Sequence, residues 1–384
     1  MNLALYKNRS MGLALESENG VPVPVDADGY GLELTEISAA TEPELIEKTV
    51  FKASISAGPS RVGKVSASVS VSGELKNSGT AGAVPKIDAI LQAARFGREN
   101  ALKMTVLNAD GWDSLVPGKS VISAGDAKGL IIGIEEDESA IYYVLRSNAD
   151  FASSAAAASG SFTCSIETAG TAAGFLYRPM SDGDSQKTYT LEANDGGLKK
   201  SIYGAACTFT MELSTESYPS FSAQFTGVAS KDDWGTPFAG LPEGIEWEDH
   251  QPGIVANARV RIGNDYAPIT SSVSIDTGNE VYLIPDLNSD SWLKFSVITA
   301  RNATANVAIT ADIERSASLY QKLFAGEVAS MSFKIGEGTG NQIDVLLPTA
   351  QYTGITESDD NSMLGQEINL KLTGDDSEIM LWFR

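Results

Sequence analysis

The sequence predicts a mainly β protein with short helices. It reads as two similar β-plus-helix units in tandem, plus a small inserted β domain. Three observations predict this. Apolar residues alternate with polar ones along most of the 384 residues, and Ser, Thr, Ala, Gly and Val are plentiful. An alternating strand followed by a short amphipathic helix occurs once in each half of the chain. A block between 101 and 176 reads differently from what flanks it.

Residues 1 to about 30 have weak periodicity. Val21-Pro22-Val23-Pro24 cannot sit in a central strand, because proline has no N–H to donate. This stretch reads as an extended arm. Strand patterns follow at Tyr30–Ile37 and Leu45–Ile55, and Pro59-Ser60 turns the chain into the strand Val65–Val71. Asn77–Gly82 is a loop, and Pro85 suits the start of a helix running to Phe96. Ile87, Ile90, Leu91 and Ala94 form one apolar stripe at helical spacing, and Gly97 is the predicted stop.

Trp112 to Leu145 reads as three or four short strands. Turns at Val116-Pro117-Gly118, Ala124-Gly125-Asp126 and Glu135–Glu138 punctuate them. Ala152–Gly160 is of low complexity. The whole block 101–176 carries four bases and nine acids. It is assigned as an inserted β domain that interrupts the first unit, residues 1–100 and 177–240.

The first unit resumes near Phe175. Tyr203, Ala205, Cys207, Phe209, Met211 and Leu213 alternate strictly and mark one face of a strand. Phe221, Ala223 and Phe225 do the same beyond a turn at Ser217-Tyr218-Pro219. Residues 231–253 hold Pro237, Pro242 and Pro252 and read as a linker or surface crossing. The second unit, 241–384, carries strand patterns around Val260, Val273–Ile275, Val281–Ile284 and Val307–Ile313. Its helix spans Ser318–Phe324 and stops at Gly326. Strands follow at Met331–Ile335, Ile343–Leu347 and Ile368–Leu372, and the apolar run Ile379–Phe383 reads as a docked last strand. Acid-containing loops recur before the last strand pattern of each unit, at Ser214–Ser217 and Glu357–Asp360.

The formal charge is −22, from 50 acids against 28 bases, and Lys199-Lys200 is the one adjacent basic pair. A duplex-binding protein concentrates bases on one face, so this chain is expected to repel nucleic acid, a charge that serves solubility alone being the other reading. The sole histidine, His250, cannot build a multi-histidine zinc site. No G-x-S-x-G elbow accompanies it. Pro117-Gly118-Lys119-Ser120 is not a phosphate loop, because Asp113 stands where the leading glycine belongs. Gly336–Gly340 joins two strand patterns and reads as a hairpin loop. Glu135–Glu138 lacks spaced calcium ligands and reads as a solvated tip. Carboxylates are frequent, but nothing singles out a glycosidase-like pair. Cys164 and Cys207 are not spaced as metal ligands, and Cys207 falls on an apolar strand face as a buried thiol. No catalytic, cofactor-binding or metal-binding residue is assigned, and no cofactor or enzymatic activity is expected. The N-terminus shows no basic region before an apolar run, and no stretch is long enough to span a bilayer.

Several phrases, taken in order, carry a resemblance. They are Leu15–Pro22, Glu42–Thr49 followed by Gly63-Lys64, Gly73-Glu74-Leu75, Gly79–Gly82 and Pro85 leading into the helix. Leu176-Tyr177-Arg178-Pro179, Asp195-Gly196, Gly204–Phe209, Phe225-Thr226-Gly227 and Glu378–Arg384 continue it. The chain resembles the major tail tube proteins of long-tailed bacteriophages with non-contractile tails. The resemblance covers most of the chain outside 101–176.

It implies two tandem tail-tube-type units of β-sandwich or half-barrel form, each with a flanking α-helix, in a structural virion protein that is assembled in the host cytoplasm and whose rings stack into a hollow tube for DNA ejection. Two units per chain imply a trimeric ring with pseudo-sixfold symmetry, a hexameric ring being the alternative. The implied partners are further copies of the chain, the tape measure protein, and tail terminator or tail-tip proteins. DNA would pass transiently without specific binding, along a bore ringed by Asp and Glu from both units. Residues 1–30 and 41–60 would contact the next ring, and the insert would decorate the exterior. No membrane partner is implied. Two other readings stand beside it: a capsid or decoration protein, and an extracellular β-sandwich binding module. Short helices weigh against a capsid shell, and the absence of a signal sequence and of disulfides weighs against an extracellular module.

Overall fold

The computed structural model describes residues 8–48, 59–183, 186–255, 258–263, 268–360 and 362–384. The first half opens with β1 (Arg9–Leu15), β2 (Leu34–Ile46), β3 (Arg61–Glu74), helix α1 (Asp88–Ala93) and β4 (Phe96–Asp110). Short strands β5 (Val121–Ala124), β6 (Ala127–Ile134), β7 (Ala140–Leu145) and β8 (Ala156–Ser159) lead to β9 (Phe162–Pro179). Then come β10 (Tyr189–Asp195), β11 (Leu198–Ser214), β12 (Ser220–Ala229) and β13 (Thr236–Pro237). The second half holds β14 (Arg261–Ile262), β15 (Thr270–Asp276), β16 (Asn279–Pro285), β17 (Leu293–Arg301) and β18 (Thr304–Thr310). Helix α2 (Ile313–Ala325), β19 (Val328–Ile335), β20 (Ile343–Asp360), β21 (Met363–Leu372) and β22 (Met380–Phe383) complete the chain. The protein is mainly β.

One pairing scheme occurs twice. In the first half β3 lies between β2 and β12, and β12 pairs with the outer stretch of β11. The inner stretch of β11 pairs with β10 and β13, and β10 with β1. In the second half β18 lies between β15 and β21, and β21 pairs with the outer stretch of β20. The inner stretch of β20 pairs with β19 and β22, and β19 with β14. Thus β1, β2, β3, α1, β10, β11, β12 and β13 correspond, in chain order and in neighbours, to β14, β15, β18, α2, β19, β20, β21 and β22. Two excursions interrupt the scheme. The β4–β9 segment stands between α1 and β10, and the β16–β17 hairpin stands between β15 and β18.

Among the described residues, strands of the two halves pair at two antiparallel seams. Thr210–Ser214 of β11 pair with Ser272–Asp276 of β15. Leu381–Phe383 of β22 pair with Phe175–Tyr177 of β9. One hydrophobic core runs beneath both halves, from Val69, Val71, Cys207 and Phe225 to Val307, Val345, Ile368 and Leu381. A second core, with Met104, Ile131, Tyr143 and Phe162, lies inside the inserted block. A third, with Ala101, Ile132, Tyr142, Leu176, Leu346 and Trp382, ties that block to β22 and β20. Trp382 donates its ring N–H to the Ala173 carbonyl and packs against Tyr142, with ring centroids 4.7 Å apart. β4 and β9 run without a break across positions 101 and 176.

Several elements differ from the sequence expectation. The first helix is Asp88–Ala93 rather than Pro85–Phe96, and it does not stop at Gly97. Arg95 takes the left-handed conformation there (φ 65°), and Phe96 and Gly97 already belong to β4. Gly97 is small because a Cβ would lie 2.6 Å from the Met180 side chain. The second helix begins at Ile313, not Ser318, because Asp312 caps it by accepting from Glu314 N and Arg315 N. The preceding strand accordingly ends at Thr310. Gly326 does close this helix, with φ 63°. The strand expected at Tyr30–Ile37 starts at Leu34, after a 3-10 turn capped by Asp26. The strand expected at Leu45–Ile55 is the end of β2, and 49–58 lie outside the described residues. The low-complexity stretch contains β8, because Ala157 and Ser159 turn inward and their small side chains fit beside β9. Glu357–Asp360 are strand, not loop. The N-terminal arm, as far as it is described, is bound to its own chain through β1 and β10.

Candidate functional site

The most extended surface feature is a continuous antiparallel sheet, in the order β2-β3-β12-β11-β15-β18-β21-β20. Successive side chains of a strand point to opposite faces, and in register they form rows across the sheet. One row reads Gly73, Phe221, Met211, Ile275, Ala305, Leu370, Tyr352 and faces the core. The neighbouring row reads Glu36, Ser72, Ser222, Thr210, Asp276, Thr304, Lys371, Gln351 and faces away from it. A third row is again polar: Glu74, Ser220, Glu212, Ser274, Asn306, Asn369. The polar face is therefore hydroxyl- and amide-rich and crosses the seam between the halves unbroken. Glu36, Glu74, Glu212, Asp276 and Glu367 stand on it, and among the described residues of these rows Lys371 is the one base.

Both ends of this sheet are open edges. Among the described residues β2 pairs as a strand only with β3, with the Arg9 and Lys200 side chains donating to its Ile37 and Ala39 carbonyls, and the outer stretch of β20 pairs as a strand only with β21. The edge of β11 equivalent to that of β20 is the one covered by β15. An unpaired edge carries free N–H and C=O groups that pair readily with another strand.

Two buried carboxylates hold the chain segments around the sheet. Glu16 is 5% exposed, and its two oxygens accept from Gly20 N, Gly204 N and the Thr188 and Thr190 hydroxyls, at 2.5–3.0 Å. This binds the N-terminal segment to β10 and to the bulge in β11. Glu248 lies in the crossing 231–253, where its backbone N–H donates to the Gly31 carbonyl. Its Oε1 is buried without a hydrogen-bond partner, and burial pushes the carboxyl up to about 7. The Lys86 backbone and the Lys76 and Lys86 charges oppose that shift, while Glu33 adds to it. Neither residue stands out in the sequence. Thr188 and Thr190 lie more than 170 positions from Glu16, so no local spacing announces the cluster.

The motifs set aside in the sequence fall in separate places. His250 packs on Gly79, whose added Cβ would meet the imidazole ring at 3.1 Å. Gly118 donates its N–H to the Ile131 carbonyl, inside the inserted block. Gly336–Gly340 connects β19 to β20. Glu135 is engaged by Lys103 at 2.8 Å and by the Tyr142 hydroxyl, and Glu136 by Arg259. Cys164 and Cys207 are buried free thiols; burial pushes the first up to about 11 and the second higher still. Such thiols are poor nucleophiles. Among the described residues, no three His, Cys, Asp or Glu side chains are grouped to hold a metal ion, and no helix is long and apolar enough to cross a membrane. One surface depression lies between the outer β2–β3 hairpin and the β16–β17 hairpin, lined by Glu42, Glu44, Lys64 and Tyr282.

The chain matches no protein-family model and no curated protein.

Proposed function

We propose that the protein is a tube-forming structural subunit of the tail-tube kind, in which copies join edge to edge into a ring and rings stack around a channel. The single observation that carries this reading is the doubled strand order together with its internal seam. Within one chain, the outer edge of β11 meets β15, the first strand of the next repeat. The outer edge of β20 is left to meet β2, the equivalent strand of another copy, in the same antiparallel sense. Repeating that step is a head-to-tail contact, which closes into a ring when the rotation allows. Three copies would supply six equivalent four-stranded sheets and a pseudo-sixfold bore.

The polar face then lines the channel. Its Ser, Thr, Asn and Gln side chains and its acids present nothing that grips phosphate, so DNA passes without specific binding. The role is structural, with no reaction assigned. On this reading the protein resides in the phage tail, beside a tape measure protein and terminator or tip proteins. The test is negative-stain microscopy with analytical ultracentrifugation across a concentration series. Rings or tubes of uniform bore are expected. A chain that stays monomeric even beside the other tail proteins, or a tube whose bore is net positive, overturns the reading.

A further inference from the structure

The β16–β17 hairpin is the outward continuation of β15 and β18, bent at Thr277-Gly278 and at Asn302-Ala303. It does not stay with its own half. It lies across the first half, over β11 and β12 and the end of α1. Asn279 donates from its side-chain amide to the carbonyls of Ala94, at the end of α1, and of Cys207. Arg95 donates to the Ile298 carbonyl, and Ser296 to the Thr226 carbonyl. Phe295 fits over Gly204 in the β11 bulge, where a Cβ would approach to 2.8 Å. The contact is close, since Ser296 and Ala94 are both fully buried.

The repeat supplies counterparts for both sides of this contact; Trp292 packs on the Gly63 side of the first, while its face bearing Leu45 and Val62 and the second stand uncovered. The counterpart of the hairpin is the outer part of the β2–β3 hairpin, 41–46 paired with 61–67. There Leu45 and Val62, cross-strand partners, are 57% and 59% exposed. The counterpart of the Ala94 site is the end of α2 beside the β20 bulge at Tyr352–Gly354. The backbone N–H of Tyr352 donates to the Glu327 carbonyl, so helix end and bulge adjoin as they do in the first half. Counting from the helix caps Ala94 and Gly326, Phe324 takes the place of Gln92 in the last turn, and it is 84% exposed.

We infer that the outer β2–β3 hairpin of each copy docks across the end of α2 and the β20 bulge of a neighbouring copy, as the β16–β17 hairpin docks within the chain. The occupant is a second copy of this chain, identified by continuity with the internal interface. The docking rests on the ring reading, because it needs a neighbour seated on the β20 edge. It makes that seam two-sided: edge pairing in the sheet, and an apolar clasp of Leu45 and Val62 on Phe324 outside it.

The test uses full-length chains. Leu45→Asp with Val62→Asp, and separately Phe324→Asp, change exposed side chains, so each monomer keeps its circular dichroism spectrum. The concentration for half-assembly is expected to rise at least about tenfold for each, while Val121→Asp in the inserted block leaves it unchanged. Independently, a bismaleimide linker should couple Val62→Cys chains to Phe324→Cys chains in mixed assemblies and not in dilute monomer. The native cysteines are buried and do not compete. Wild-type assembly with unchanged variants and no coupling overturns the clasp and leaves the ring reading standing. A wild-type chain that never assembles overturns both. If Phe324→Asp fails to fold, the coupling experiment alone decides.

Discussion

Glu16 shows how one side chain fixes an otherwise irregular segment. A carboxylate deprived of water is costly unless each lone pair finds a donor, and here two backbone N–H groups and two hydroxyls supply them. Glu16→Ala leaves those donors buried and unmatched, so a loss of about 3 kcal/mol is expected in urea unfolding. Glu248 is the opposite case, a buried carboxyl with an unpartnered oxygen. Its pKa rises from 4.5 to about 7 on folding. The folded chain therefore holds the proton more tightly than the unfolded chain. The stabilising contribution is complete below pH 4.5 and is lost as the pH rises through about 7. Wild type should lose on the order of 2–3 kcal/mol between pH 4 and pH 8 from this group. Glu248→Gln should flatten that part of the profile, as measured by denaturant midpoints at a series of pH values.

At the scale of elements, the two helices show why equivalent positions are not equivalent in sequence. α1 is six residues long with no side-chain cap, and it persists because Ile90, Leu91 and Ala93 are enclosed by β11 and β4. α2 is thirteen residues long, capped by Asp312 and closed by Gly326, and it buries only Ser316 and Leu319. Local signals hold the exposed helix, and tertiary packing holds the enclosed one. Glycines divide in the same way. A Cβ on Gly326 would meet only the Gln351 amide, at 3.6 Å, so Gly326→Ala costs the left-handed backbone alone, about 1 kcal/mol. A Cβ on Gly174 would stand 1.9 Å from the Phe383 carbonyl oxygen, inside the β9–β22 seam. Gly174→Ala should cost more than about 3 kcal/mol and open that seam. Hydrogen exchange would register it as lost protection at Leu381 and Phe383.

For the whole molecule, charge and topology bear on different questions. The net charge of −22 is spread through the sequence, and its use depends on which strand face each acid takes. Glu212 and Asp276 lie on the polar face on either side of the internal seam. On the proposed ring reading, Glu212→Lys should leave assembly intact and make the bore retain DNA. The retention should weaken steeply with salt, as read in a filter-binding series. Unchanged DNA retention would place that face away from the channel.

Residue alternation made most strands legible: Ala205 to Leu213 and Phe221 to Phe225 turn apolar side chains inward as their spacing predicts, but the bulge at Tyr203–Ala206 takes Tyr203 off that face and buries Ile202 instead. Ala152–Gly160 hid β8, because a strand of Ala and Ser has no apolar signature until Cys164 and Phe162 lie beside it. The helix stop expected at Gly97 went instead to Arg95, because Gly97 was needed small against Met180 rather than flexible. The sequence by itself determined the strand-rich character, the acidic balance and the recurrence of strand-then-helix, since periodicity and composition are local. Only the tertiary structure decided the doubled pairing order, the polar rows that cross both halves, and the pairing of Glu16 with Thr188 and Thr190. Those depend on contacts between residues far apart in the chain, which hydrogen-bond geometry and core packing select and no local pattern encodes.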